Sequence, residues 1–263
     1  MSPGRERPLA YLTGASSGIG QALALRLHAA GYRLALVGRR AGHLQRWAHL
    51  QGWSPADCAV YAADVRDLPA IARAGNDCLT TQGTPDIVVA SAGISIGFDT
   101  AIAADFDVLR ATLETNLIGM AATFHPFVDA MRRRGSGRLV GVASVAGIRG
   151  LPGHGAYCAS KAGVIAYCES LRGELRSSGV DVVTLVPGFI DTPMTRRNRY
   201  AMPFLRSADH FAERAVRAIE SGSSYRGIPW QMGVVAKLLR ILPNRVFDRA
   251  MQGRARKPRQ GEA

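Results

Sequence analysis

Short apolar runs rich in Val, Leu and Ala alternate with helix-length runs along most of this chain, and that alternation leaves few ways to fold it. "PLAYLTG" reads as a strand and "GIGQALALRLHAAG" as an amphipathic helix ending at Gly31. "RLALVGR", "CAVYAAD", "PDIVVASAG", "GRLVGVAS" and "VDVVTLVPG" read as further strands. Helices fall on "AGHLQRWAHLQG", "LPAIARAGNDCLTTQG", "AYCASKAGVIAYCESLRGELRSSG" and "DHFAERAVRAIESG". "FDVLRATLETNLIGMAATFHPFVDAMRRRG" holds a long helix, with room for a break before it. Each helix that joins two parallel strands lies over the sheet, so the sheet is covered on both faces. The expected fold is α/β: one doubly wound, mostly parallel sheet of about seven strands with helices on both faces. Ligands of such sheets bind beyond the carboxyl ends of the strands, so those turns are the place to look for a site.

No linker or repeat divides the chain. Residues 1–263 are read as a single domain with a core over about 7–225 and a basic, apolar C-terminal extension over about 226–263. Hydrophobic residues make up 47% and charged residues 20%, the balance of a folded protein rather than a disordered one. No apolar run reaches the length of a membrane span, and the N-terminus lacks the apolar stretch and cleavage site of a signal peptide. Cys58, Cys78, Cys158 and Cys168 are scattered, with no pair at metal-ligand spacing. Reduced thiols, no metal and a cytoplasmic location are expected.

Two turns speak to phosphate. In "TGASSGIG", Gly14, Gly18 and Gly20 sit where the first strand enters the first helix. Glycine there allows backbone N–H groups to approach a pyrophosphate, and the helix N-terminus favours the anion. The second strand ends "VGRR", where many dinucleotide domains carry an acid for the adenosine ribose. Arg39 suits a 2′-phosphate through its guanidinium fork, although a surface arginine is the plain alternative. The missing acid favours NADP(H) over NAD(H) whichever of Arg39 and Arg40 makes the contact.

Tyr157 and Lys161 lie four apart, on one face of a helix. An ammonium beside a phenol favours phenolate and brings an otherwise poor acid toward neutral pH. Alone, such a pair is far more often an ordinary solvated helix face. With the two turns it resembles the short-chain dehydrogenase/reductase family, and further motifs follow in the family's order. Ser144 ends the fifth strand, 13 residues before Tyr157; Asn116 stands in "ETNLIG", Asp64-Val65 after the third strand, and "PGFIDT" at Pro187–Thr192. The similarity covers about residues 7 to 225. Its one visible departure is Ala90-Ser91-Ala92-Gly93, where the family has Asn-Asn-Ala-Gly. The small residues remain, while Ser91 offers one shorter hydrogen bond in place of the lost amides.

The resemblance implies a Rossmann-type fold and hydride transfer between NADP(H) and a carbonyl or secondary alcohol, without metal. By it, Tyr157 is the general acid/base, Lys161 lowers the tyrosine pKa and binds the ribose, and Ser144 donates to the substrate oxygen. Asn116 holds a water that links Lys161 to solvent. The implied cofactor-binding set is Gly14, Ser16, Ser17, Gly18, Ile19, Gly20, Arg39, Arg40, Asp64, Val65, Ala92, Gly93, Tyr157, Lys161, Pro187, Gly188, Ile190 and Thr192. The expected assembly is a homodimer or homotetramer.

Met194, Tyr200, Met202, Phe204 and Leu205 suggest an apolar substrate, lipid- or acyl-derived or steroid-like. Arg196, Arg197 and Arg199 either reach an anionic group on it or face water. His154 is read as a structural loop histidine beside the substrate mouth, and Cys158 as a packing residue. The net charge is +13. Much of the excess lies after residue 225: Arg226, Lys237, Arg240, Arg245, Arg249, Arg254, Arg256, Lys257 and Arg259 face only Asp248 and Glu262. Trp230, Met232, Val234, Val235, Leu238, Leu239, Ile241 and Leu242 make the same segment apolar. A lid over the pocket, a dimer interface and a peripheral contact with an anionic membrane all fit. Nucleic-acid binding is not expected, since no aromatic platform accompanies the arginines. The competing function is a non-catalytic NADP(H)-binding regulatory or scaffold protein that uses the tail for a partner. The intact Ser-Tyr-Lys-Asn set argues against it.

Overall fold

A computed structural model describes residues 7–198, 200–253 and 255–262, so Arg199 and Arg254 lie outside the described residues. Seven strands form the sheet: β1 (Leu9–Thr13), β2 (Arg33–Gly38), β3 (Cys58–Ala62), β4 (Ile87–Ala90), β5 (Gly137–Val142), β6 (Val180–Pro187) and, beyond two short strands, β9 (Tyr225–Ile228). The short strands β7 (Ile190–Asp191) and β8 (Arg206–Ser207) pair with each other. The main sheet is parallel throughout, in the order β3-β2-β1-β4-β5-β6-β9. The order reverses between β1 and β4, which opens a crevice at their carboxyl ends. The doubly wound α/β fold is as the alternation predicts. Its seventh strand lies across the boundary between core and extension, so the sheet runs to residue 228.

Side chains alternate across each strand, and here both faces are buried. Ala10 and Leu12 of β1, with Leu34 and Leu36 of β2, face helices α1 (Gly18–Ala29), α2 (Ala41–Leu50) and α7 (Ala208–Glu220). Leu9 and Tyr11, with Ala35 and Val37, face α3 (Leu68–Thr81), α5 (Gly119–Arg134) and α6 (Gly155–Glu174). Tyr11 packs its ring 4.6 Å from that of Phe127. Asp67 and Ser207 cap α3 and α7 by accepting from the N–H groups of Ala70 and His210.

The segment 105–134 is one helical rod. It begins as α4 (Asp105–Leu113), passes through a π-helical turn at Glu114–Ile118, and continues as α5. Such turns recur at functional sites, and this one carries Asn116. After β9 the chain forms α8 (Trp230–Ile241) and α9 (Asn244–Met251), then reaches the segment that follows β4, where Gly97 N–H donates to the Pro258 carbonyl. Among the described residues no helix is long and apolar enough to cross a membrane. All four cysteines are free and buried.

Candidate active site

The strand ends build one cleft, with a volume of about 370 Å³. At the end of β1, Gly14 has φ +73°, and a Cβ there would lie 2.6 Å from the Ala92 nitrogen. Only glycine allows the first turn to touch the end of β4 this closely. A Cβ at Gly20 would collide with the Gly14 carbonyl, so α1 likewise starts directly against the turn. Ser16, Ser17, Gly18 and Ile19 line the cleft beside them. Ser17 is the N-cap of α1 and makes no side-chain capping bond. The free N–H groups of that first turn and the helix dipole suit a phosphate. The glycine cradle and these donors fit a pyrophosphate.

Arg39 and Arg40 follow β2 and line the same cleft. Arg39 Nη1 lies 3.8 Å from Asp64 Oδ2, and that carboxylate also accepts from Arg66 Nη2 at 3.0 Å. Two arginines therefore share one acid at this end, and Arg40 lines the cleft beside them. Arg66 was not singled out from the sequence; its proximity to Asp64 was the available signal. Val65, Ala92 and Gly93 form the middle of the wall, and Pro187, Gly188, Ile190 and Thr192 the far side.

Tyr157 and Lys161 stand on the first two turns of α6, and both line the cleft. Burial pushes the Tyr157 phenol above the usual tyrosine range, while the neighbouring Ser144 hydroxyl pulls the other way. Lys161 Nζ donates to the Val142 carbonyl at 2.7 Å and lies 5.8 Å from the centroid of the Tyr157 ring. Burial pushes this ammonium down to about 8. The expected depression of the tyrosine pKa by Lys161 is thus not what the structure displays. Burial is the largest influence on the phenol, and it favours the protonated form.

Asn116 does not line the cleft. Its Oδ1 accepts from Ile94 N at 2.8 Å, and its Nδ2 donates to Ile94 O and Ser160 Oγ, each at 2.9 Å. Both amide protons are taken, so its described work is to fix the backbone after β4. The hydroxyl of Ser91 makes no hydrogen bond among the described residues; the backbone contact at Gly14 ties the strand ends instead.

A second cavity of about 880 Å³ adjoins the cleft. Ser144, Tyr157, Gly188, Met194 and Thr195 line both spaces. The outer walls are apolar: Met202 from the loop after β7, Met232, Val235 and Leu239 from α8, and Met251 from α9. His154 and Tyr200 also line it, joined at 3.1 Å. The Pro152 carbonyl, 3.1 Å from His154 Nδ1, can only accept, so Nδ1 carries the proton and Nε2 accepts from the Tyr200 hydroxyl. Burial, the larger influence, keeps this imidazole pKa low.

Residues 8–202 match the family model described as short chain dehydrogenase. The chain is a short-chain dehydrogenase/reductase. This short-chain dehydrogenase/reductase is 37% identical over 241 residues to an uncharacterised oxidoreductase of Myxococcus xanthus, covering 92% of this chain and 95% of that one. It is 34% identical over 253 residues to an uncharacterised oxidoreductase of Mycobacterium tuberculosis, covering 95% and 99%. A solved alcohol dehydrogenase from the archaeon Thermococcus sibiricus, complexed with 5-hydroxy-NADP, superposes with a TM-score of 0.74 at 27% identity, over 84% of this chain and 96% of that one. Membership makes the protein an oxidoreductase of the NAD(P)-binding type.

Some residues expected at the substrate side of this short-chain dehydrogenase/reductase lie elsewhere. Phe204 and Leu205 do not line the cavity; they are 47% and 43% exposed. Arg196 is paired with Asp191 at 2.8 Å, and Arg197 is exposed. Arg149, Ala255 and Lys257 do line it, although sequence reasoning assigned them no site role. Arg149 stands near the catalytic motif in sequence, but nothing in its local pattern distinguishes it from a surface arginine.

Proposed function

We propose that the protein interconverts a carbonyl compound and its secondary alcohol with NADP(H), on an apolar substrate held in the larger cavity. The observation that carries this reading is the shared wall: Ser144 and Tyr157 face both the nucleotide cleft and the apolar cavity. When bound, the nicotinamide supplies or accepts the hydride. The chain's own groups do the rest. The protonated Tyr157 phenol gives its proton to the substrate oxygen during reduction and takes it back in reverse. Ser144 adds a hydrogen bond to the same oxygen as charge grows on it. Lys161, fixed on the Val142 carbonyl, brings a cation to the ribose side of the cleft.

Preference for NADP(H) is supported by the three arginines at the adenosine end and by the absence of an acid after β2. A 2′-phosphate there competes with Asp64 for Arg39 and Arg66. The archaeal relative complexed with 5-hydroxy-NADP agrees with it.

The test is NADPH oxidation with a panel of apolar ketones and aldehydes, for the wild type and Tyr157→Phe. The Phe ring keeps the packing and loses only the proton donor, so turnover should fall about a hundred- to ten-thousand-fold with NADPH affinity retained. Near-normal turnover in Tyr157→Phe refutes the mechanism. Absence of NADPH binding in the wild type refutes the reading as a whole.

A further inference from the structure

The last described stretch of chain lines the larger cavity with Ala255 and Lys257 and is fastened on both sides. Gly97 N–H donates to the Pro258 carbonyl at 3.0 Å. A Cβ on Gly97 would lie 2.7 Å from that same oxygen and would collide with the Lys257 carbonyl, so the two backbones meet with no room for a side chain. Arg259 grips Asp105 with two bonds, at 2.7 and 3.0 Å, and Arg256 lies 3.8 Å from Asp99. Of the three cations within residues 256–259, two face carboxylates.

Lys257, between them, does not. It is only 7% exposed and lines the cavity. Among the described residues its ammonium has no hydrogen-bond acceptor and no carboxylate within ion-pair distance. Nor does the cavity offer one, since no Asp or Glu lines it among the described residues. The other cation in its wall, Arg149, is committed to the carbonyls of Leu239, Arg240 and Leu242 and to Asn244. A buried ammonium without a counter-charge is unfavourable, and the group answers in the expected direction. Burial first, and the nearby Arg197 second, push Lys257 down to about 8. The charge of an anion arriving in the cavity would offset both effects.

We propose that Lys257 is an anion-recognition residue, and that the substrate is an apolar carbonyl compound whose end remote from the reacting carbon carries an oxyanion, a carboxylate or a phosphate ester. This rests on the reading of the site as a carbonyl reductase and adds to it the chemistry of the substrate's other end. The apolar walls take the hydrocarbon, Ser144 and Tyr157 take the carbonyl, and Lys257 takes the charge. Its neighbours Arg256 and Arg259 fasten the segment through Asp99 and Asp105, which leaves the Lys257 ammonium uncommitted.

The experiment measures binding and turnover separately on the NADPH complex, with three matched probes: a medium-chain methyl ketone, the same ketone with a terminal carboxylate, and the same ketone with a terminal phosphate. Charge-assisted hydrogen bonds are strong enough to favour an anionic probe over the neutral one by about ten-fold or more in the wild type. Comparison of the two anionic probes identifies the oxyanion. In Lys257→Met that preference should collapse toward parity, and Lys257→Arg should keep much of it. A merely structural role for Lys257 would change all three probes alike. An anionic probe that binds in a Lys257-dependent way without being reduced upholds the anion site and refutes the reductase reading. Turnover of all three ketones without preference upholds the reductase reading and overturns the anion site. Equal or absent binding of the three probes also overturns it.

Discussion

Replacing Arg149 by Ala tests whether the C-terminal helices are held over the cavity in the way the structure describes. Arg149 Nη1 donates to the carbonyls of Leu239, Arg240 and Leu242 at 2.5, 3.0 and 2.7 Å. Its Nη2 donates to Asn244 Oδ1 at 3.1 Å, and its guanidinium lies 4.0 Å from the centroid of the Phe247 ring. The carbonyls of Leu239 and Arg240 belong to the last turn of α8 and that of Leu242 to its C-cap, where helix oxygens lack internal partners and the dipole is negative. Hydrogen bonds to charged groups are worth about 1.5–3 kcal/mol each when well formed. Here one half-buried guanidinium serves all of them, so the loss to local stability is about 2 kcal/mol rather than the sum. At about 1.4 kcal/mol per factor of ten, opening of α8 and α9 becomes about thirty-fold more frequent. Amide hydrogen exchange should report this as faster exchange across residues 230–251, with the amides of β1, β4 and β5 unchanged. NADPH affinity should be retained, because Arg149 lines the apolar cavity and not the nucleotide cleft. Exchange in α8 and α9 at the wild-type rate would show that the guanidinium does not hold them, and the reasoning fails.

Other perturbations separate the remaining claims. Arg39→Ala should weaken NADPH by about ten-fold or more and leave NADH unchanged, since only the 2′-phosphate loses a charged partner; equal affinity of the wild type for the two cofactors counts against it. Arg259 holds the Asp105 carboxyl below the usual carboxylate range, so its contribution to stability is complete above about pH 4 and disappears as the pH falls through the depressed value. The difference in Tm between the wild type and Asp105→Asn should therefore be constant from neutral to mildly acidic pH and shrink below it; a difference that grows on acidification refutes the ion pair. Trp230, Val234, Leu238 and Ile241 form one exposed stripe of α8, between 47% and 76% accessible, with Lys237 and Arg240 beside it. Basic residues near an anionic surface add about 1 kcal/mol each, so the protein should co-sediment with anionic vesicles at low salt and Leu238→Glu should do so less. A protein that stays in the supernatant at low salt does not use this stripe on membranes.

The nucleotide cleft was legible because its parts sit at strand ends, and strand ends are what periodicity locates. Gly14, Arg39, Asp64, Ser144 and Thr192 each follow an apolar run, and the parallel sheet brings them to one edge. Asn116 was legible as a position but not as a contact. Its place in a π-helical turn, and the loss of both amide protons to Ile94 and Ser160, depend on how α4, α5 and α6 pack. The pKa of Tyr157 depends on more than spacing for a related reason. Spacing brings Lys161 onto the same helix face, but burial is set by the whole cleft and it dominates. In the tail, Arg256, Lys257 and Arg259 look alike as letters. Only contacts with Asp99 and Asp105, more than 150 residues earlier, distinguish the paired cations from the unpaired one.

The two spaces of the site are written at different places along the chain. The last residue to line the nucleotide cleft is Thr195, whereas the walls of the apolar cavity continue through Met232, Leu239 and Met251 to Lys257. Translation therefore delivers every side chain of the nucleotide cleft before the far wall of the substrate cavity exists. Chains fold from the N-terminal side as they emerge, and a ligand that binds only folded chain stabilises it by mass action. Dinucleotide in the surrounding solution can thus favour the folded form of a growing chain, and selection by the substrate begins only after α8, α9 and the strap at Lys257 have followed.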